Sequence, residues 1–358
     1  MDIEDKIALA TRSSVEEVIT PADLRHLFET NSKPGHYIGY EVSGMLHIGS
    51  LIASGNVIND LNKAGVRTQV YMANMHSWIN NKFGGDLNTI NRAAEYYKEA
   101  FKFFCPGTKV VDAYELYKDK DFWPNVIKFA KNMTVARTNR ALSIMGRKET
   151  DALDLAQYFY PPMQGVDIHT IGAQIAHAGM DQRRIHVLAR EIYPSMGWKK
   201  PVAIHHHLLM GLQSGRMGEF KQMNKEDLEN EMKMSKSKPD SAIFVHDSKD
   251  EIARKINKAH CPEKITENNP IIDYAVHLIL PKTKSIKIER PKKFGGDIEI
   301  GSKQELLEIY GEGKLHPADL KNAVAVELDK MIKPVREHFE KPKNKKLLDV
   351  YKTAKITR

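Results

Sequence analysis

Two cysteines in 358 residues, Cys105 and Cys261, are too few and too far apart for a disulfide scaffold or a thiolate metal centre. Long hydrophobic runs are missing as well: no stretch approaches the roughly 20 apolar residues of a bilayer span. The first residues, MDIEDKIALATRSS, are acidic and hold no apolar run, so they give no secretory signal. Internal repeats and low-complexity segments are absent. These absences leave a soluble, cytoplasmic chain with no membrane partner as the expectation. What remains is ordinary for a globular protein, 41% hydrophobic and 28% charged, and the length favours two domains over one core. The net charge of +8 is unevenly placed. Residues 251–358 hold 23 Lys and Arg against 16 Asp and Glu, so the last third is basic beside a nearly neutral body. Such a balance suits a polyanionic partner and serves solubility equally well.

Strand and helix patterns alternate through the first two thirds. HYIGYEV (36–42) reads as a strand, SLIASGNVINDLNKAG as a helix stopped by Gly65, and TQVYMAN (68–74) as the next strand. A long helix follows over about 86–104. The pattern returns with AQIAHAGMD as strand, QRRIHVLAREIYPSMG as helix and PVAIHHHLLMG as strand. This predicts an α/β doubly wound parallel sheet. A helical insert, about 119–160, carries Trp123, Tyr158 and Phe159. After about 250 the character changes. DSKDEIARKINKA opens with the N-cap signal Asp247-Ser248, FGGDIEI offers a short strand, and residues 317–339 form a long amphipathic helix with Pro317 at its start. The expected division is therefore 1–249 for the sheet domain and 250–358 for a mostly α-helical second domain.

Doubly wound sheets bind ligands beyond the carboxyl ends of strands, where helix N-termini attract phosphate. SGMLHIGS (43–50) stands at such a place. His47 is a donor for a phosphate oxygen, and Gly49 allows a flat base to lie against the backbone; alone, the same residues read as a packed histidine opening a helix. Far downstream, KMSKSKPDS (233–241) sets Lys233 and Lys236 beside two serines. By itself this run is a solvated basic loop as readily as a mobile phosphate clamp.

Together the two stretches carry a resemblance. His47-Ile48-Gly49-Ser50 resembles the HIGH signature of class I aminoacyl-tRNA synthetases, and Lys233-Met234-Ser235-Lys236-Ser237 matches their KMSKS loop without a change. The resemblance implies a Rossmann-like catalytic domain in which His47, Lys233 and Lys236 are catalytic. It places ATP on His47, Gly49, Asp181, Lys233, Ser235 and Lys236. Lysines on a closing loop fit that chemistry, because charge builds on the α-phosphate and the departing pyrophosphate in the transition state. Ser50 stands in place of the signature's second histidine, and Val42 where many relatives have proline.

The amino acid is suggested by YFYPPMQGVDIH (158–169), which puts Tyr160, Gln164 and Asp167 on one face if it is helical. Asp181 and Gln182 follow a predicted strand, and Tyr37 lies inside another. This set resembles the tyrosyl-tRNA synthetase family over almost the whole chain. KFGGD (293–297) and LHPADLKNAVA (315–325) bring it closest to the archaeal and eukaryotic branch. By that resemblance Tyr37 and Asp167 hold the phenolic hydroxyl of tyrosine, while Tyr160, Gln164 and Gln182 hold its ammonium end. Phenylalanine would leave both hydroxyl partners unpaired. About 10⁵ discrimination is the standard figure for this family, not one obtained from this chain.

The resemblance further implies an activity, tyrosine–tRNA ligation through tyrosyl-adenylate, and a homodimer formed through the insert. Its second domain is expected to bind the anticodon of tRNA(Tyr), with Phe294, His316 and Asp319 at the matching positions. Arg183 and Arg184 are placed for the acceptor stem, or form an ordinary surface pair. Magnesium is expected as the counter-ion of ATP only, with no tightly bound cofactor. The triplet His205–His207 is read as packing at a strand end, since alternate strand side chains face opposite ways, and no metal site is expected. A tryptophan enzyme of the same fold, an inactive RNA-binding relative and a nucleotidyltransferase acting on a small molecule are the competing readings.

Overall fold

The structure, a computed structural model, describes residues 1–146, 152–213, 234 and 239–354. Lys233, Ser235 and Lys236 lie outside the described residues. The chain packs as two compact units: residues 1–44, 54–206 and 343–358, and residues 45–53 with 207–342.

The first unit is built on a six-stranded sheet. Its strands are β1 (Val15–Ile19), β2 (His36–Tyr40), β3 (Gln69–Met72), β4 (Lys109–Asp112), β5 (Ile175–Gly179) and β6 (Val202–His206), in the order β1-β6-β5-β2-β3-β4. All neighbours are parallel except β1, which runs antiparallel along β6. β5 and β6 are buried at every residue, as strands covered on both faces must be. β1 was not legible as a strand; Glu16 and Glu17 interrupt its apolar pattern, which an edge position tolerates. From β2 the chain builds outward through β3 and β4, then returns to place β5 and β6 on the other side. The order therefore reverses between β2 and β5, which is where a doubly wound sheet opens a ligand crevice.

The helix expected near 86–104 spans Leu87–Phe104. Asp86 caps it by accepting from the backbone N–H groups of Asn88 and Thr89, and Ile90, Ala93, Ala94, Tyr97 and Phe101 form its buried face. Residues 343–354 pack with this unit: Tyr351 donates to the Ala93 carbonyl and lies edge-on to Tyr96. Within the insert, Phe122–Lys131 and Val135–Ala141 are helical. Helix Phe122–Lys131 packs on helix Tyr160–Thr170 at Gly165, where a Cβ would stand 2.5 Å from the Phe129 ring. That glycine permits the two helices to approach closely, and Tyr193 ties the same turn by donating to the Gly165 carbonyl at 2.6 Å.

The second unit is mostly helical. Helix Lys249–Lys258 is capped by Ser248, whose side chain accepts from the Glu251 N–H, as the sequence signal predicts. It packs along the 24-residue helix Pro317–Glu340, with Ile252, Ile256, Leu320, Val324 and Leu328 buried. A hairpin, β7 (Ile286–Ile288) with β8 (Ile298–Ile300), accounts for the short strand expected in FGGDIEI.

Candidate functional site

The first unit gathers a buried polar pocket around helix Tyr160–Thr170. Tyr160, Gln164 and Asp167 all lie on this helix and all are buried, Asp167 completely. Gln164 Nε2 donates to Gln182 Oε1 at 3.1 Å, and Gln182 Nε2 donates to the Ile144 carbonyl at 2.9 Å. Two residues foreseen for one end of a ligand are thus brought together. Tyr37, on β2, is buried, with its ring 5.7 Å from that of Tyr71.

Tyr71 and His76 were missed in the sequence. The Tyr71 hydroxyl donates to Asp167 Oδ1 at 3.1 Å and lies 3.3 Å from the Tyr117 hydroxyl. His76 Nε2 approaches Asp167 Oδ2 to 3.3 Å. This approach lacks hydrogen-bond geometry, for Oδ2 and both ring nitrogens have no hydrogen-bond partner. Burial pulls the His76 pKa down to about 3, so the imidazole is neutral and the contact is no ion pair. The signal for both residues was positional: Tyr71 sits near the carboxyl end of β3 and His76 just beyond it.

The electrostatics follow from burial. Asp167 is held well above the usual carboxylate range by desolvation, opposed by the Tyr71 hydrogen bond, which favours the ionised form. Tyr37 and Tyr160 are raised, first by burial and then by nearby carboxylates, Asp167 and Glu41 respectively, so both phenols keep their protons. Asp167 Oδ2 and Gln164 Oε1 are fully buried acceptors with no hydrogen-bond partner in the protein. Such atoms are costly unless a bound group satisfies them. A pocket with an acidic acceptor, several phenol donors and a glutamine pair suits a ligand with a hydroxyl at one end and a cationic group at another.

The signature turn belongs to the second unit. His47 N–H donates to Ser50 Oγ at 2.9 Å, while the Ser50 N–H donates to His47 Nδ1 at 3.3 Å. The two residues cap the turn reciprocally, in the manner of a capping box. Because Nδ1 accepts, the neutral ring carries its proton on Nε2, which makes that nitrogen a donor. Gly49 has a second role here, not foreseen: an added Cβ would stand 3.1 Å from the His47 ring, close enough that the ring would have to shift by a few tenths of an ångström. The turn is pinned by Ile48 N–H to the Ile243 carbonyl and by Val245 N–H to the Leu46 carbonyl.

The remaining candidates are dispersed. Asp181 is half-buried in the single turn Met180–Gln182, after β5. Arg183 pairs with Glu17 at 2.9 Å, and Arg184 donates to Ser143 and to the Arg140 carbonyl. In the second unit His316 caps helix Pro317–Glu340, its Nδ1 accepting from the Ala318 N–H, with Asp319 in the first turn. The backbone of Phe294 ends the short turn Lys292–Phe294.

The histidine triplet divides three ways. His205, buried in β6, contacts His186 at 3.0 Å and Glu17 at 2.9 Å. His206 continues a buried chain across the sheet, 2.9 Å from His177, which is 3.2 Å from His36. His207 lies beyond the strand and contacts Asp273 at 2.6 Å. The three do not converge: alternation turns His206 away from His205, and His207 lies past the strand end.

A sheet of this order with a buried polar pocket beside its reversal point has the architecture of a doubly wound α/β protein that binds a ligand there, and comparison narrows the class. The family model for class I tRNA synthetases (W and Y) matches residues 29–333, and the chain belongs to that family. Within it, the chain is 45% identical to the tyrosine–tRNA ligases of Thermococcus gammatolerans and Thermococcus kodakarensis, over the full length of each. Its fold superposes on the tyrosyl-tRNA synthetase of Pyrococcus horikoshii, solved with L-tyrosine, with a TM-score of 0.92 and 42% identity. That match covers 99% of this chain and all of the other.

Proposed function

We infer that the chain is a tyrosine–tRNA ligase that joins L-tyrosine to ATP and then to tRNA. The observation that carries this reading is the buried Asp167, whose Oδ2 has no partner, in a pocket with Tyr37, Tyr71 and the Gln164–Gln182 pair. Asp167 accepts the substrate's phenolic proton and Tyr37 donates to its oxygen. Tyr160, Gln164 and Gln182 receive the α-ammonium. An indole offers a donor but no acceptor, so the Tyr37 donor would go unmatched with tryptophan.

The tyrosine carboxylate attacks the α-phosphate of ATP, forming tyrosyl-adenylate and releasing pyrophosphate. A ribose hydroxyl at the tRNA 3′ end then displaces AMP and takes the tyrosyl group. No protein nucleophile takes part; rate comes from positioning and charge stabilisation. His47 donates through Nε2 to a phosphate oxygen, a role supported by the Ser50 contact that fixes its tautomer. Gly49 and Asp181 hold the nucleoside, while Lys233, Ser235 and Lys236 close on the triphosphate. Magnesium accompanies ATP as its counter-ion, bound mainly by phosphate oxygens and water.

For tRNA, the segment from 250 onward binds the anticodon through Phe294, His316 and Asp319, and its basic balance favours phosphate. Arg183 and Arg184 serve the acceptor stem. A second copy of the chain covers the insert, a reading supported by the exposed apolar side chains of Trp123, Ile127, Val135 and Leu155. No helix among the described residues is long and apolar enough to cross a membrane, and cytoplasmic residence is the matching proposal.

The deciding experiment is amino-acid-dependent exchange of pyrophosphate into ATP, with tyrosine, tryptophan and phenylalanine in parallel. Exchange with tyrosine alone is expected. Exchange with tryptophan would overturn the pocket assignment, and no exchange would overturn the catalytic one.

A further inference from the structure

Beyond β6 the chain passes through His207 and, at Met210, is tied to the segment Pro270–Ile279. Asp273 Oδ2 accepts from the Met210 N–H at 2.9 Å, and the Tyr274 hydroxyl donates to the Met210 carbonyl at 2.6 Å. The other oxygen of Asp273 faces two imidazoles. His207 Nε2 is 2.6 Å from Oδ1, and His277 Nε2, one turn along from Asp273, is 4.0 Å from it. The two rings are stacked, 3.8 Å between centroids and 17° between planes. Both imidazoles thus direct the same nitrogen at one carboxylate oxygen. A cation held by both nitrogens would need the two rings to turn apart from this stack, so that each in-plane lone pair points at it.

We propose that His207, Asp273 and His277 bind a single divalent transition-metal ion, with zinc the best fit. The donor atoms lie within 4.8 Å of one another, and this is the one group of three or more His, Cys, Asp or Glu among the described residues to meet that test. Around tetrahedral zinc, with bonds of about 2.0–2.1 Å, donor atoms stand about 3.3 Å apart. The 2.6 Å contact must open and the 4.0 Å contact close, each by less than an ångström. Two imidazoles and one carboxylate select zinc over magnesium or calcium, which prefer all-oxygen sets. The Met210 N–H already orients the carboxylate from behind, the outer support that metal ligands commonly have. His207 and His277 side chains are 22% and 29% exposed, enough to admit an ion, while Asp273 at 8% supplies a sheltered charge. This ion would clamp the 207–210 segment to the helix; it is separate from the counter-ion of ATP. The expectation of no metal weighed the three adjacent histidines against each other and could not see ligands arriving from a helix far along the chain.

The test uses the full chain, stripped of metal and free of ATP. Zinc is titrated against a chromophoric chelator, and cobalt is added as a spectroscopic stand-in. One ion per chain is expected, with the cobalt absorption of a nitrogen and oxygen donor set and a zinc-dependent rise in Tm. His277→Ala and Asp273→Asn should each weaken binding by more than the roughly 10- to 100-fold that outer partners cost. The wild-type cobalt spectrum decides even if a variant misfolds. No zinc uptake at micromolar concentration, a thiolate charge-transfer band, or unchanged affinity in both folded variants would overturn the site.

Discussion

The Tyr71 hydroxyl donates to Asp167 Oδ1 at 3.1 Å, with both side chains fully buried. That bond holds one carboxylate oxygen and favours the ionised form of a group that burial pushes toward neutrality. The second oxygen is thereby presented as an acceptor for the substrate phenol. Tyr71→Phe should cost about 0.5–1.5 kcal/mol of tyrosine binding, the range for an ordinary hydrogen bond, or roughly 2- to 10-fold in KM for tyrosine. Phenylalanine does not use the acceptor, so its kcat/KM should change little and the tyrosine preference should narrow. Pyrophosphate exchange with both amino acids measures this. An unchanged ratio would show that Tyr71 only fills space.

His47 and Ser50 hold each other through reciprocal contacts at 2.9 and 3.3 Å. Ser50→Ala removes a cap worth about 0.5–2 kcal/mol and frees the His47 ring to change tautomer. The expected outcome is a fall in the rate of tyrosyl-adenylate formation in the same direction as His47→Ala but smaller, with tyrosine affinity unaltered. Stopped-flow measurement of adenylate formation under saturating tyrosine separates the two. Equal losses in both variants would mean that Ser50 touches the substrate itself.

The alternation of strand and helix, the β5 and β6 strands, the helix near 86–104 and the cap at Ser248 were legible because each rests on local pattern. So was the face of helix Tyr160–Thr170, since a spacing of four and three fixes which side chains share it. What the chain concealed depends on contacts across long separations. Tyr71 reads as one more apolar strand residue until Asp167 is seen opposite, 96 positions away. Ser50 looked only like a replacement for the signature's second histidine, and the turn's geometry shows it capping His47. Gly49 looked like room for a base, whereas its missing Cβ makes room for the neighbouring imidazole.

Gly165 lies in the middle of the pocket helix, where alanine would normally be the better helix former. Here an added Cβ would meet the Phe129 ring at 2.5 Å. Gly165→Ala should therefore destabilise by about 1–3 kcal/mol through overpacking, and shift Gln164 and Asp167 enough to raise KM for tyrosine. Pairing it with Phe129→Leu, which vacates the ring's outer carbons, should recover much of the loss. Thermal melts of the two single variants and the double variant check this. Simple additivity would place the strain elsewhere.

Acid should unfold this protein earlier than carboxylate protonation alone predicts. His36, His177, His186 and His205 are buried in or against the sheet, and desolvation lowers all four; His36 falls from 6.5 to about 3, as does His76 in the pocket. A histidine lowered in the folded state stays neutral there while the unfolded chain takes up its proton. The stability it contributes is complete above the unfolded pKa near 6.5 and is lost as pH falls toward the folded value. Each such group tilts stability by up to about 1.4 kcal/mol per pH unit within that window. Tm should hold from pH 8 to about 7 and decline steeply from about pH 6 to 4, before most carboxylates titrate. His36→Asn, which removes one of these groups, should start from a lower Tm at neutral pH and show a shallower decline. A Tm that stays level down to about pH 5 would refute the neutral assignment for the buried His36 and His177.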